Sequence, residues 1–186
     1  MMIQFVTSNE GKFREVSAAL EKKGYELSWS RMTYPEVQTA SLDEVVDEGI
    51  KWLLKELGTK QPFMIDDSGL FVPGLNDFPG VYSSYVFKTV GNAGILKLLK
   101  GRKDRSARFE ARIGFYSESS GPIIFRGACH GRIAQKPRGS GGFGYDPIFI
   151  PRGEKRTFAE MGIQEKNPIS HRGKALQEFL LYLERL

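Results

Sequence analysis

The sequence predicts an α/β fold in which a mixed central sheet is flanked by helices. Two observations support this prediction. In the first half of the chain, short apolar runs of strand length alternate with segments whose apolar residues recur every three or four positions. Two longer strand-like runs, residues 108–116 and 123–133, then flank a Ser- and Gly-containing segment with hairpin chemistry. The hairpin adds an antiparallel component to the fold.

The first elements follow one another closely. Residues 3–6 alternate like a strand that stops at Thr7-Ser8-Asn9. Apolar residues then recur at helical spacing from residue 10 until Gly24, which occupies a C-cap position. Residues 25–29 form a plausible second strand. This order predicts a strand, a helix and a second strand.

A capped helix and a buried strand come next. Ser41-Leu42-Asp43-Glu44 has the form of a capping box, an apolar helical face follows, and Gly58 closes the helix. Residues 62–65 are short and apolar, which is consistent with a buried strand, and they lead directly into Asp66-Asp67-Ser68-Gly69. The acidic motif is therefore expected at the carboxyl end of this strand.

The rest of the chain supplies two more helices and a glycine-rich loop. Residues 91–99 have a helical pattern, and Ser170 is a suitable N-cap for a closing helix. The stretch 138–144 is rich in glycine and, within a compact domain, is more typical of a functional loop than of a linker.

Length and composition limit the possible classes of protein. The 186 residues, 40% hydrophobic and 26% charged, fit one globular domain spanning residues 1–186. No apolar run is long enough for a bilayer and no signal peptide is evident, so a cytoplasmic location is expected. Cys129 is the single cysteine, which excludes an intrachain disulfide framework and a cysteine-built zinc site. The net charge of +5 suits anionic partners, and charge alone does not choose between nucleic acid, phosphorylated small molecules and acidic membranes.

The first candidate site lies at the predicted junction of the first strand and helix. Backbone N–H groups at a helix N-terminus form an anion site, and Thr7, Ser8 and Asn9 add polar donors there. Gly11 permits close approach, and Lys12 brings a positive charge to the first turn. The alternative is an ordinary N-cap followed by a solvated lysine.

Two carboxylates form the second candidate site. Asp66 and Asp67 follow a buried strand, and because side chains alternate along a strand, they are expected to face opposite ways. One of them can then hold Mg²⁺ or polarise a water for attack. The alternative is a simple turn, since Asp, Ser and Gly are common turn residues.

Two further motifs have the chemistry of a nucleotide pocket. Phe143 and Tyr145 stand among glycines, where an aromatic ring can lie flat on a nucleobase or can anchor the loop in the core. The segment from Lys166 to Arg172 places several donor-rich side chains around a helix start, a composition suited to reading phosphate or base.

Together these motifs resemble the inosine triphosphate pyrophosphatase family of non-standard purine nucleotide hydrolases. The matching segments extend over essentially the whole chain and stand in order: Thr7-Ser8-Asn9 with Lys12, Asp66-Asp67-Ser68-Gly69-Leu70, Pro79-Gly80-Val81-Tyr82-Ser83, Phe143-Gly144-Tyr145-Asp146-Pro147-Ile148-Phe149, and Ser170-His171-Arg172. The resemblance implies an elongated, two-lobed α/β domain with the active site in a cleft, usually as a homodimer. It also implies Mg²⁺-dependent hydrolysis of ITP, dITP and XTP to the monophosphate and pyrophosphate.

The resemblance assigns roles to individual residues. Asp67 would be the general base and a metal ligand, and Glu36, in a Pro-Glu context, would be a second ligand of Mg²⁺. Lys51 is the nearest candidate for a substrate-contacting lysine on the second helix, where the register is ambiguous. The substrate-binding residues implied by the motifs are Thr7, Ser8, Asn9, Glu10, Gly11, Lys12, Ser68, Phe143, Gly144, Tyr145, Asp146, Lys166, His171 and Arg172.

Two rival functions remain open at this point. One is a Maf-type nucleotide pyrophosphatase acting on modified pyrimidines or 7-methylguanosine triphosphate, although Thr7-Ser8-Asn9 with Lys12 favours the inosine family. The other is a basic nucleic-acid-binding module whose aromatic rings stack on bases, which leaves the acidic residues unexplained because carboxylates repel phosphates. The favoured prediction is a nucleoside triphosphate substrate, with neither nucleic acid nor membrane as a partner.

Overall fold

The computed structural model describes residues 2–35, 37–58 and 60–185 and confirms the mixed α/β fold. Its strands are β1 (Met2–Val6), β2 (Glu26–Ser30), β3 (Phe63–Val72), β4 (Phe78–Gly80), β5 (Ser106–Ser117), β6 (Gly121–Ile133) and β7 (Phe149–Pro151). Its α-helices are α1 (Glu10–Glu21), α2 (Leu42–Leu57), α3 (Ser83–Thr89), α4 (Gly91–Leu98), α5 (Ile163–Lys166) and α6 (His171–Leu183).

The strands of the described chain form one mixed sheet in the order β2-β1-β3-β5-β6-β7, with β4 added on β3. β1 is parallel to β2 and β3, whereas β3, β5, β6 and β7 pair antiparallel along the sheet. One edge of β3 pairs with β5 along almost its whole length. The other edge is shared, since β1 pairs with residues 63–65 and β4 with residues 70–72. Residues 66–69 therefore lie in a gap between two partner strands.

The acidic motif occupies this gap, which corrects the expected end of the strand. Asp66 to Gly69 continue the extended conformation of β3, because β5 keeps pairing with them in register. Cross-strand pairing thus overrides the turn preference of Asp, Ser and Gly. The expected alternation is confirmed, since Asp66 and Ser68 both contact Arg172 of α6, whereas Asp67 lines a groove with Val45 of α2.

The helix caps match the sequence prediction. The Ser41 hydroxyl accepts a hydrogen bond from the Glu44 amide at the start of α2, and Gly58 ends that helix with a positive φ of 74°. Ser170 caps α6 in the same way. Helix α3 was not predicted, because its seven residues bury only Ser83 and Val86 and show no apolar period.

Three groups of buried side chains form the core. The first lies between the sheet and helices α1 and α6, and the third lies under α2 on the opposite face. The second is built from the far end of β3, from β5 and β6, and from residues 145–161. Helices and loops that pack against the first and second groups line a cleft in the protein. In the described part of the chain, no helix combines the length and the apolar character that a bilayer crossing needs.

Candidate active site

A cleft of about 490 Å³ collects most of the predicted site residues. It opens at the gap in the sheet between β1 and β4, where a change of strand partner leaves room for a ligand. The predicted residues that line it are Thr7, Ser8, Asn9, Lys12, Asp67, Ser68, Phe143, Gly144, Tyr145, Asp146, Lys166, His171 and Arg172. Segments far apart in the sequence thus converge on one cavity.

The β1–α1 junction is both an N-cap and a wall of the cleft. The side chain of Asn9 accepts from the Lys12 amide at 3.1 Å, and the Thr7 hydroxyl accepts from the Asn9 amide at 3.2 Å. The Lys12 ammonium is not simply solvated. It donates to the Asp66 carbonyl at 2.9 Å and lies 3.8 Å from a carboxylate oxygen of Asp67. Lys12 therefore bridges the end of β1 to the gap in the sheet.

The two neighbouring aspartates have different environments. Both carboxylate oxygens of Asp66 accept from the Arg172 guanidinium, at 2.8 and 3.1 Å, and one also contacts Lys12 at 2.9 Å. Burial alone would raise the pKa of Asp66, but Arg172 and Lys12 together hold that pKa well below its ordinary value. The Asp66 side chain is fully buried, whereas that of Asp67 keeps 14% of its surface exposed in the cleft. Of the two aspartates, Asp67 is therefore the one that can meet a ligand.

A buried carboxylate that was not predicted, Glu15, joins Lys166 to Arg172. Its two oxygens lie 2.6 Å from the Lys166 ammonium and 2.6 Å from the Arg172 guanidinium. Burial would raise the pKa of Glu15, but the charges of Arg172 and Lys166 hold it below the ordinary value. Its position in the sequence carried a signal, because Glu15 lies three residues after Lys12 and beside the buried Val16, on the face of α1 that turns inward.

The loop that carries Phe143 and Tyr145, residues 143–146 (the aromatic loop), closes over this buried ionic network. The Lys166 ammonium lies 5.1 Å from the centre of the Phe143 ring, and the Arg172 guanidinium lies 5.5 Å from it. Asp146 accepts from the Phe143 amide at 2.9 Å and from Lys166 at 2.5 Å. Burial raises the pKa of Asp146, even though Lys166 acts in the opposite direction. The loop is thus held against the network by the same lysine that Glu15 binds.

The close approach expected at Gly11 involves the protein itself. A methyl group at Gly11 would lie 2.4 Å from the ring of Phe143. The missing side chain therefore makes room for the aromatic ring, and Gly11 does not line the cleft. Gly11 acts on the site by letting Phe143 reach its place.

Tyr145 is an anchor of the loop as well as a wall of the cleft. Its hydroxyl donates to the Ser83 carbonyl at 3.1 Å, and its ring meets Phe87 edge-on at 5.3 Å between centroids. The Gly144 carbonyl accepts from Asn92 of α4 at 3.1 Å. Of the two aromatic residues, Tyr145 fits the anchoring role, while Phe143 is only partly buried.

His171 lines the cleft with a buried imidazole ring. Its ring stacks on Phe109 at 4.6 Å, and its Nδ1 has no hydrogen-bond partner among the described residues. Burial, reinforced by the nearby charges of Arg172 and Lys166, puts the pKa of His171 well below its ordinary value. The imidazole is therefore neutral near pH 7, and one of its ring nitrogens carries a proton.

Besides Gly11, the residues Glu10 and Lys51 were considered at the sequence level and do not line this cleft. Glu10 pairs with Arg14 on the exposed side of α1, because it lies at the helical position four residues before that arginine. Lys51 is exposed on α2 and pairs with neighbouring acidic residues of the same helix. Glu36 lies outside the described residues. Asp66, the other carboxylate of the second candidate site, also lines the cleft. The further lining residues, which were not predicted, are Met32, Thr33, Tyr34, Ser83, Ser84, Phe87, Lys88 and Phe109.

The donor chemistry of the cleft fits Mg²⁺. Mg²⁺ is usually held by one or two carboxylates together with waters and substrate phosphates, rather than by a cage of protein ligands. Asp67 offers such a carboxylate at the wall of the cleft. No group of three or more His, Cys, Asp or Glu side chains suited to a metal occurs among the residues that the structure describes. Asp67 is thus the residue of the described cleft that would hold the ion.

Comparisons with known proteins agree with the resemblance seen in the motifs. The model of the Ham1 family matches residues 3–182. The chain is 53% identical to the dITP/XTP pyrophosphatase of Pyrococcus horikoshii, over 99% of this chain and 97% of that protein. It is 52% identical to the dITP/XTP pyrophosphatase of Thermococcus kodakarensis, over 99% and 98% of the two chains.

Solved structures give the same result for the fold. A HAM1 protein from Coxiella burnetii superposes with a TM-score of 0.84 at 34% identity, covering 100% of both chains. A nucleoside-triphosphatase, also named dITP/XTP pyrophosphatase, from Mycobacterium abscessus superposes with a TM-score of 0.73 at 34% identity, covering 98% of this chain and 100% of that one. Sequence and fold agree over nearly the full length, and the chain belongs to the Ham1 family.

Proposed function

We propose that this chain is a Mg²⁺-dependent pyrophosphatase that hydrolyses non-standard purine nucleoside triphosphates, ITP, dITP and XTP, to the monophosphate and pyrophosphate. The observation that carries the proposal is the convergence in one cleft of the β1–α1 junction, the Asp67 carboxylate and the aromatic loop. Two relatives that are 53% and 52% identical in sequence to this chain are named dITP/XTP pyrophosphatase, which supports this choice of substrate.

The reaction needs a nucleophile and a way to offset charge. Asp67 orients and deprotonates a water aimed at the α-phosphorus, and pyrophosphate leaves. Polar groups of the junction, Thr7 to Asn9, bind phosphate oxygens beside it. Mg²⁺, held by Asp67 and the substrate, supplies neutralisation of phosphate charge when it is bound.

Lys12 also has a role in this reaction. Its ammonium lies 3.8 Å from a carboxylate oxygen of Asp67 and 2.9 Å from one of Asp66. Lys12 therefore places a positive charge beside the carboxylate that acts on the water, where phosphate oxygens of the substrate are stabilised.

The preference of the enzyme for particular nucleobases follows from the neutral imidazole of His171. Hypoxanthine and xanthine carry a keto oxygen at position 6, where adenine carries an amino group. A ring N–H of the neutral His171 imidazole can donate to the keto oxygen, whereas an amino group at that place meets another donor. The guanidinium of Arg172, the other candidate donor, is already bonded to Asp66, Glu15 and Ser68.

A substitution at His171 tests this assignment. His171→Leu removes the donor, and His171→Asn keeps one. We expect the leucine variant to lower the ratio of kcat/KM for ITP over ATP at least about tenfold, and the asparagine variant to lower it less. An unchanged ratio in the leucine variant would mean that other groups discriminate between the bases.

The reaction itself is tested with a panel of nucleoside triphosphates. The purified protein is incubated with each triphosphate in Mg²⁺ and, separately, in EDTA, and the phosphorus-containing products are identified. We expect monophosphate and pyrophosphate to form fastest from ITP, dITP or XTP, and only with metal. Release of orthophosphate with a nucleoside diphosphate would contradict the proposal. Nucleic-acid binding that falls steeply with salt and needs no Mg²⁺, without any turnover, would favour the binding-module alternative.

The proposal includes a homodimer acting on the cytoplasmic nucleotide pool. Support for the dimer comes from exposed aromatic side chains of β4 and the start of α3 that line one surface groove, of the kind that protein interfaces use: Phe78, Tyr82 and Tyr85. Tyr85 is the most exposed of them, at 70%. Light scattering should give the mass of a dimer for the native protein and that of a monomer for Tyr85→Lys. A monomeric native protein would contradict this part of the proposal.

A further inference from the structure

Helix α3 brings a cation to the cleft that the sequence motifs do not include, Lys88. Its side chain lines the cleft together with Ser84, four residues earlier, and with Phe87. Residues four apart lie on the same face of a helix, so the Ser84 hydroxyl and the Lys88 ammonium form one polar strip. The cleft that this strip lines also includes Thr7, Asn9 and Asp67.

The other cations of the cleft are already occupied by carboxylates. Lys12 contacts Asp66, Lys166 contacts Glu15 and Asp146, and Arg172 contacts Glu15 and Asp66.

This buried network has no surplus of positive charge. It contains three cations and, with Asp67, four carboxylates. A triphosphate that enters the cleft brings several more negative charges. The network fixes the cleft's shape and leaves these charges to be met by other groups.

Lys88 differs from these three residues. It is exposed, and it forms no ion pair with any carboxylate in the described ranges of the chain. A lysine ammonium is a compact point charge on a flexible stem, a form suited to phosphate oxygens. Lys88 can therefore turn its charge to a ligand without giving up an existing partner.

The backbone that carries Lys88 is firmly attached to the sheet. The Ser83 hydroxyl accepts from the Leu70 amide at 2.7 Å and donates to the Gly80 carbonyl at 2.7 Å. The Tyr145 hydroxyl donates to the Ser83 carbonyl at 3.1 Å. The start of α3 is thus tied to β3, β4 and the aromatic loop, and the side chain of Lys88 is the flexible part.

The position of the strip points to the leaving phosphates rather than the nucleoside. Phe143, Lys166 and His171 line the cleft with buried or half-buried groups and do not line the neighbouring groove. Ser84, in contrast, lines both this cleft and the neighbouring groove, and Asp67 does the same. Ser84 therefore lies on Asp67's side of the cleft.

We propose that Lys88, with Ser84, binds the β- and γ-phosphates of the substrate and the pyrophosphate that they become. This inference rests on the proposed function of the cleft and adds a substrate contact to it. Lys88 stabilises the negative charge of these phosphates, which the buried network does not neutralise.

Binding of the two products tests this role. Calorimetric titration of the full-length protein with pyrophosphate in Mg²⁺, and separately with inosine monophosphate, compares the native protein with Lys88→Met. We expect the variant to bind pyrophosphate about tenfold more weakly or worse, because it loses a hydrogen bond to a charged group. Binding of the monophosphate should stay within twofold, and Lys88→Arg should recover part of the loss.

Lys97→Met is the matched control. Lys97 is an exposed lysine of the next helix that does not line the cleft, and its replacement changes net charge by the same amount. An equal loss for both lysine variants would reduce the effect to long-range charge and overturn the proposal. Unchanged pyrophosphate binding in Lys88→Met, or a loss confined to the monophosphate, would also overturn it. If the native protein hydrolyses no triphosphate but Lys88→Met alone weakens pyrophosphate binding, the proposed reaction fails while the Lys88 contact stands.

Discussion

Replacing Glu15 by glutamine removes a buried charge on which two cations depend. In the native protein its oxygens lie 2.6 Å from the Lys166 ammonium and 2.6 Å from the Arg172 guanidinium, and the side chain is only 4% exposed. Glutamine keeps one acceptor oxygen and replaces the other with an NH₂ donor. One of the two cations must then face a donor in a place that water does not reach.

The size of the effect follows from these contacts. Removing one member of a buried ion pair while its partners stay in place costs about 3–5 kcal/mol, because a charge is left uncompensated. A loss of about 3–5 kcal/mol is a large part of the stability of a domain this size and corresponds to a fall in Tm on the order of 10 °C. Denaturant unfolding and scanning calorimetry of Glu15→Gln measure both quantities.

The control is Glu10→Gln on the same helix. Glu10 forms an exposed ion pair with Arg14, so its replacement should change the free energy of unfolding by less than about 1 kcal/mol. A second test combines Glu15→Gln with Lys166→Met, which removes one of the stranded cations and should recover part of the lost stability. If Glu15→Gln unfolds within about 1 kcal/mol of the native protein, the description of the buried network is wrong.

Three other substitutions or conditions test separate parts of the structure. Gly11→Ala should raise KM for ITP, because the new methyl group collides with the Phe143 ring. Helix propensity alone would make the same change stabilise the protein by up to about 1 kcal/mol. A gain in unfolding free energy with an unchanged KM would therefore contradict the contact between Gly11 and Phe143. Tyr145→Phe should lower the unfolding free energy by about 1 kcal/mol through loss of the bond to the Ser83 carbonyl, and an unaltered value in denaturant titrations would exclude that bond. The pKa of Glu15 is below its ordinary 4.5, so the stability that this carboxylate contributes is complete above pH 4.5 and is lost as the pH falls through the lower, folded-state pKa. Unfolding free energies measured below pH 4.5 should therefore decline more in the native protein than in Glu15→Gln. Parallel declines in the two proteins would contradict the lowered pKa.

The local pattern of the sequence was sufficient for most elements. Amphipathic spacing and capping residues predict α2 and α6 closely, and the hairpin of β5 and β6 was recognised from its turn. Helix α3 was missed because a helix this short, with two buried residues, has no readable period. β3 was predicted too short because its extension depends on pairing with β5, which a local pattern does not contain.

Motifs that carry chemistry predict Asp67 and Phe143 as site residues, and the structure places both at the candidate cleft. Glu15 and Lys88 stand outside the recognised motifs. The position of Glu15 on the inward face of α1 was a signal, but its partners Lys166 and Arg172, like the approach of Lys88 to the cleft, depend on the fold. The carboxylate partners of Lys12 and Arg172 could not be predicted from the sequence, because an ion pair between residues distant along the chain depends on the fold.

The replacement of Asp67 by asparagine tests the central claim most directly. The variant keeps the size of the side chain and loses the carboxylate that accepts the proton of the attacking water. We expect kcat for XTP in Mg²⁺ to fall at least about a hundredfold, the contribution typical of a general base, while the variant still binds the monophosphate product and unfolds like the native protein. A folded variant with kcat within tenfold of the native value would show that this cleft does not use Asp67 for hydrolysis.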